Sequence, residues 1–222
     1  MPAATRVKIC GVNSPQVLRA TIDAGADMAG FVFFAKSPRN LSLEQARALG
    51  TMAAGKIIKV ALVVDAPDVV ISAIVEALQP DWLQLHGRET SGRITEIQAR
   101  FGLPVMKAIG ISARVDLERG FGDSASADQW LFDAKPPKHA VLPGGNGVAF
   151  NWTILSGMKL DKPWMLSGGL DAENVASAIA LADAPGVDVS SGVESAPGLK
   201  DPTKIAAFVA NARRPLVVRM KA

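Results

Sequence analysis

Hydrophobic positions in this chain switch period repeatedly. Short, near-continuous apolar runs alternate with longer stretches in which apolar residues recur every three or four positions. The runs predict strands at residues 6–10, 28–34, 57–64, 81–85, 104–109, 129–133, 163–167 and 187–190. Ala29-Gly30-Phe31-Val32-Phe33 is typical, apolar on both faces, as suits a parallel strand covered from both sides. Helical spacing fills the intervals. Val70, Ile74 and Leu78 share one face, as do Ile94, Ile97 and Phe101, and again Ile205, Phe208, Val209 and Ala212.

Start and stop signals agree with this reading. Ser14-Pro15 opens the first helix with a cap and a proline at the first helical position. Ser42 and Gln45 have the spacing of a capping box, and Asp171 and Asn174 stand at the opening of the seventh helix. Gly25 closes the first helix and Pro80 follows the third. The fifth helix, 112–121, is the weakest, and 122–128 reads as a surface loop. Eight strand–helix units with no linker predict the α/β class and a single closed (β/α)8 barrel, a TIM barrel, over 1–222 with a short tail at about 214–222. A doubly wound open sheet is the alternative, but no Gly-x-Gly-x-x-Gly follows the first strand. The Pro/Gly-rich connection 136–147 has the character of a lid.

Composition narrows the chemistry. A chain of 222 residues, 49% hydrophobic, can bury a large core. The net charge is only +3, and the basic tail Arg213, Arg214, Arg219 and Lys221 has no interleaved aromatics, so no nucleic-acid partner is expected. The single cysteine excludes an internal disulfide and a cysteine-based zinc site. With only His86 and His139 available, a histidine metal site lacks ligands, and no metal is expected. The first residues lack the pattern of a signal peptide, and no apolar run approaches the ~18 residues of a membrane span, so the expected location is cytoplasmic, with no membrane partner.

In such a barrel, reactive groups lie at the carboxyl ends of the strands. The first strand ends at Cys10, which is either a small apolar residue closing a strand or an acid–base group. The sixth ends at Asp133, a candidate general acid or a structural carboxylate beside Lys135. After the seventh and eighth strands come Gly168-Gly169 and Ser190-Ser191-Gly192. Loops in those positions, with a short extra helix, commonly cradle phosphate; otherwise they are tight turns. Arg39, behind Ser37-Pro38, suits capture of a carboxylate or phosphate, or is a surface arginine. His86, after Gln84-Leu85, reads as a packed or hydrogen-bonded histidine rather than a catalyst, and no Ser-His-Asp set is evident.

These segments together resemble the phosphoribosylanthranilate isomerase family of tryptophan biosynthesis. The resemblance runs over nearly the whole chain: VKICG at 7–11, AGADMAGFVFFAKSPRNLS at 24–42, LQLHG at 83–87, LFDAK at 131–135, PGGNGVAFNW at 143–152, LSGGL at 166–170 and VDVSSGVESAPGLKD at 187–201. It implies an Amadori rearrangement of N-(5-phosphoribosyl)anthranilate to 1-(2-carboxyphenylamino)-1-deoxyribulose 5-phosphate. It makes Cys10 the general base and Asp133 the general acid. It gives Arg39 the anthranilate carboxylate, Asp188 the sugar hydroxyls and Gln84 a place in the pocket wall. Phosphate falls to Gly168, Gly169, Ser190, Ser191 and Gly192, and the turn Gly144-Gly145-Asn146-Gly147 to a loop over the site. No cofactor is implied, and the expected partner is the small phosphosugar–anthranilate substrate. A monomer is expected, with a dimer as the alternative. Asn13 and Asn40 depart from the family pattern, which more often has threonine and an aromatic there. Rival readings are a synthase of the same pathway, which would want lysine and glutamate at strand ends, and a histidine-pathway sugar isomerase, which would place aspartate at Cys10. A catalytically silent phosphosugar-binding barrel is the third.

Overall fold

Eight parallel strands close on themselves in the computed structural model, which describes residues 4–136, 140, 142–145, 147 and 149–214. They are β1 (Arg6–Cys10), β2 (Met28–Phe33), β3 (Ile58–Val63), β4 (Trp82–Leu85), β5 (Val105–Ile111), β6 (Gln129–Ala134), β7 (Trp164–Leu166) and β8 (Gly186–Val189). Pairing follows chain order, and β8 returns to β1 with Lys8 opposite Asp188. The helices are α1 (Pro15–Asp23), α2 (Leu43–Ala53), α3 (Asp68–Leu78), α4 (Ser91–Phe101), α5 (Arg114–Asp123), α6 (Val175–Ala182) and α7 (Pro202–Ala212). His139, Asn146 and the tail from 215 lie outside the described residues.

The caps read from sequence form. Ser14 accepts from Val17 N at 3.2 Å, and Ser42 and Gln45 make the reciprocal pair of a capping box at 3.1 and 2.9 Å. At α6, Asp171 and Asn174 exchange bonds, each side chain accepting from the other's backbone N–H at 2.9 Å. The weak fifth helix forms through a different device. Ala113 at its cap has no side-chain acceptor, and Asp116 reaches back instead, its Oδ2 accepting from Ser112 N, Ala113 N and Ser112 Oγ at 2.9, 3.0 and 2.8 Å.

Two expectations need correction. Eight units predict eight helices, but among the described residues no α-helix follows β6, only a 3₁₀ turn at Trp152–Leu155. Pro136, Pro143 and the glycines around them favour turns over helix, and Gly157, at φ +69°, lies just past the 3₁₀ turn. After β8, the expected short helix is a three-residue 3₁₀ turn, Ser191–Val193. It leads into an unpredicted antiparallel hairpin, β9 (Glu194–Ala196) and β10 (Leu199–Lys200), that turns through Pro197-Gly198.

Alternation along each strand divides the core. Val7 and Ile9 of β1 join the apolar layer between barrel and helices, while Lys8 and Cys10 turn into the barrel. The lower interior is filled by Met28, Val60, Met106, Leu131 and Met165. Toward the carboxyl ends, Cys10 packs with Val32 and Leu62, which form the floor of the mouth.

Candidate active site

The mouth holds a cavity of ≈ 780 Å³, part of it open to solvent. Cys10 of β1 and Asp133 of β6 both line it, three strand steps apart round the ring. Asp188 of β8 and His86, just beyond β4, line it too. The carboxyl end of every strand that bears one of these groups thus meets the same space.

Asp133 is nearly sealed. Its Oδ1 accepts from Ala134 N at 2.8 Å, and its Oδ2 faces His86 Nε2 at 3.3 Å. Gln84 Nε2 lies 3.0 Å from His86 Nδ1; donating there, it leaves the ring proton on Nε2, pointed at the carboxyl. A Cβ on Gly144 would meet Asp133 Oδ2 at 2.5 Å and His86 Nε2 at 2.6 Å, so this stretch of backbone lies directly over the acid.

Cys10 is buried, and burial pushes its thiol up. Lys8 pulls it back down, Asp188 pushes it up, and Lys200 and Arg39 pull it down, with burial prevailing. Lys8 is itself completely buried, and its Nζ donates to Asp188 Oδ1 at 2.8 Å. Burial pulls the ammonium down, but Asp188 and Cys10 more than offset it and hold Lys8 above its ordinary value. Asp188 Oδ2 accepts from Ser167 Oγ at 3.2 Å.

The rim after β7 is shaped by its glycines. Gly168 and Gly169 have φ of +87° and +66°, and a Cβ on either would stand 2.6 Å from the backbone nitrogen of Ala134 or Ala149. Gly168, Gly169, Ser190 and Ser191 all line the cavity. Gly192 does not: it lies against the Leu170 carbonyl, where a side chain would not fit. Gln84 is a second departure from expectation. It is fully buried behind His86 rather than in the cavity wall.

Arg39 lines the cavity, but its fork is already engaged. Nε and Nη2 donate to Glu194 Oε1 and Oε2 at 2.7 and 2.9 Å, a bidentate pair. Nη1 lies toward Gly145, whose Cβ position is 3.1 Å away. Lys200 Nζ also holds Glu194, at 2.6 Å, and donates to Ser190 O at 3.0 Å. Burial pushes the Glu194 carboxyl up, but bonds from Arg39 and Lys200 outweigh it and leave it below its ordinary value. Asn13 Nδ2 donates to Gly198 O at 2.9 Å, a second tie from the first loop to the hairpin. Lys8, His86, Glu194 and Lys200 are thus site residues outside the sequence-derived set. Lys8 and His86 carried a signal, being on the inward face of β1 and at a strand end. Glu194 and Lys200 fall within the motif at 187–201 but received no role from it.

A closed parallel barrel with a thiol and a carboxyl facing one cavity at its carboxyl end defines a (β/α)8-barrel enzyme. The family described as N-(5'phosphoribosyl)anthranilate (PRA) isomerase matches residues 7–211, and the chain belongs to it. It is 54% identical over 211 residues to N-(5'-phosphoribosyl)anthranilate isomerase of Cereibacter sphaeroides, covering 95% of this chain and 100% of that one. The crystal structure of phosphoribosyl anthranilate isomerase from Thermotoga maritima superposes with a TM-score of 0.84 at 37% identity, over 94% of this chain and 98% of that one. A phosphoribosyl anthranilate isomerase in complex with reduced 1-(o-carboxyphenylamino)-1-deoxyribulose 5-phosphate superposes with a TM-score of 0.79 at 33% identity, over 94% and 98% of the two chains.

Proposed function

We propose that this chain catalyses the Amadori rearrangement of N-(5-phosphoribosyl)anthranilate to 1-(2-carboxyphenylamino)-1-deoxyribulose 5-phosphate, the isomerase step of tryptophan biosynthesis. The observation that supports it most directly is the shared cavity of Cys10 and Asp133, with Gly168-Gly169 and Ser190-Ser191 on its rim. Protonated Asp133 gives its proton to the ring oxygen of the sugar. The C1–O bond breaks, and C1 and the anthranilate nitrogen form a protonated Schiff base. Cys10, as thiolate, takes the proton from C2, and the C–H electrons move to neutralise the Schiff base as an enolamine. Protonation at C1 and loss of the proton from the C2 hydroxyl then give the ketone.

The remaining roles follow the same placement. The phosphate is held by the backbone of Gly168 and Gly169 and by Ser190 and Ser191, with Gly192 keeping the second segment close to Leu170. Asp188 meets the sugar hydroxyls. Arg39 receives the anthranilate carboxylate through Nη1, since Glu194 occupies the other two nitrogens. The proposed working unit is a monomer. Among the described residues no helix is long and apolar enough to cross a membrane, and the proposed site of action is the cytoplasm.

The test is a fluorescence assay with freshly prepared phosphoribosylanthranilate. Cys10→Ala should lower kcat by about 10²–10⁴-fold, the usual worth of a general base. A fully active alanine variant would remove Cys10 from the reaction. A wild-type chain that binds the phosphosugar without turnover would make the barrel a binding protein.

A further inference from the structure

The proposed reaction uses Cys10 and Asp188 but leaves Lys8, which pairs with Asp188, without a task. Lys8 precedes Cys10 by two residues on β1, so both side chains enter the barrel. It is among the largest of the fully buried side chains. Packing alone does not call for a charge there, because the neighbouring interior layer is filled by Met28, Val60, Met106, Leu131 and Met165. A sealed ammonium is costly and is tolerated only with compensation. Asp188 supplies that, 2.8 Å away. Gly30 shows how near the sulfur is. A Cβ at that position would stand 3.0 Å from Cys10 Sγ and 3.2 Å from Lys8 Nζ, so both atoms border one small space.

We propose that Lys8 is a positioning residue for the reaction: its ammonium, sealed beside Sγ, stabilises the anion left when Cys10 loses its proton, and Asp188 limits that help. The proposal rests on the reading of Cys10 as the base. The charged groups that bear on the thiol are Lys8 on β1, Asp188 on β8, Lys200 on β10 and Arg39 after β2. From β2 and β3, Val32 and Leu62 bring no charge. Lys200 and Arg39 both hold Glu194, which offsets their pull. Lys8 is the nearest cation whose partner is not Glu194, and the thiol lowers with it and rises with Asp188.

The two members of the pair therefore act on the sulfur with opposite signs. Lys8→Met removes the cation and leaves a carboxylate beside the thiol. Asp188→Asn does the reverse. The readout is the rate of iodoacetamide alkylation against pH on the folded, substrate-free protein, with circular dichroism as the fold check. A single cysteine makes the signal unambiguous. Lys8→Met should raise the alkylation midpoint by about one to two pH units and slow the reaction at pH 7 at least about tenfold. Asp188→Asn should lower the midpoint. Unchanged midpoints, or two shifts of the same sign, would overturn the proposal. If Lys8→Met alone does not fold, the double variant Lys8→Met with Asp188→Asn is compared with Asp188→Asn. The double variant should have the higher midpoint, and equal midpoints would sink the idea. The two readings fail separately. An active Cys10→Ala with a shifted Lys8→Met midpoint rejects the base, whereas an inactive Cys10→Ala with no shift rejects Lys8.

Discussion

A thiol that burial keeps protonated has a visible consequence in the rate. The base form of Cys10 is the thiolate, and below its pKa that form grows tenfold with each pH unit. Burial lifts the thiol above its ordinary value. Alkylation of Cys10 by iodoacetamide in the substrate-free protein should therefore quicken as the pH is raised from 7 towards and beyond the ordinary thiol range of about 8.5. Alkylation rates of the wild type at each pH would show it, and a flat profile from pH 6 to 9 would mean that reactivity does not follow the thiolate. At this scale the sequence is informative where position alone decides. Cys10 and Asp133 were legible as cavity-lining groups because one ends its strand and the other stands next to the end of its own. Gln84 and Gly192 do not line the cavity, because the same positional rule does not say that His86 packs in front of Gln84 or that Gly192 sits against the Leu170 carbonyl. Glu194 lies in the 187–201 motif, but its pairing with Arg39, 155 positions away, is encoded by no local pattern.

Among the elements, α5 shows how one side chain can substitute for a missing cap. Asp116 binds three donors at the helix start and also accepts from Lys135 Nζ at 2.7 Å. Burial pushes its carboxyl up, but these bonds prevail and hold it far below the usual carboxylate range. A carboxyl lowered by folding stabilises the fold above its unfolded pKa of about 4, and that stability is lost as the pH falls towards the folded value. Asp116→Asn should cost about 1–2 kcal/mol at neutral pH, the range of a lost cap, with Lys135 adding little because it is half exposed. The gap in melting temperature between wild type and variant should narrow as the pH drops below about 4, which calorimetry across pH would measure. Helix existence was readable from spacing and caps for α1, α2 and α7. The absent helix after β6 was not, because the alternation implied a symmetry that prolines and glycines in that stretch do not honour. The β9–β10 hairpin is too short to show any alternation at all.

Over the whole molecule, stability and chemistry occupy different depths of the barrel. The lower interior is apolar and lies away from the mouth, while the charged groups gather around Cys10. Leu131→Ala should cost about 2–5 kcal/mol, as core truncations do, and lower the melting temperature by several degrees. kcat measured well below the new melting point should hold, because Leu131 does not line the cavity. A loss of kcat as large as that from Cys10→Ala would show that the two depths are coupled. The closed barrel was legible because eight apolar runs at regular intervals leave few other ways to cover both faces of every strand.

Lys8 and Asp188 are 180 residues apart, and Arg39 and Glu194 are 155 apart. The first strand thus carries a lysine whose counter-charge lies seven strands further along the chain. A nascent chain that stops short of Gly186 contains the thiol, the carboxyl and the arginine, yet has neither the aspartate that balances Lys8 nor the glutamate that grips Arg39. Synthesis through β8 and the β9–β10 hairpin is therefore what brings each of these two charges its partner.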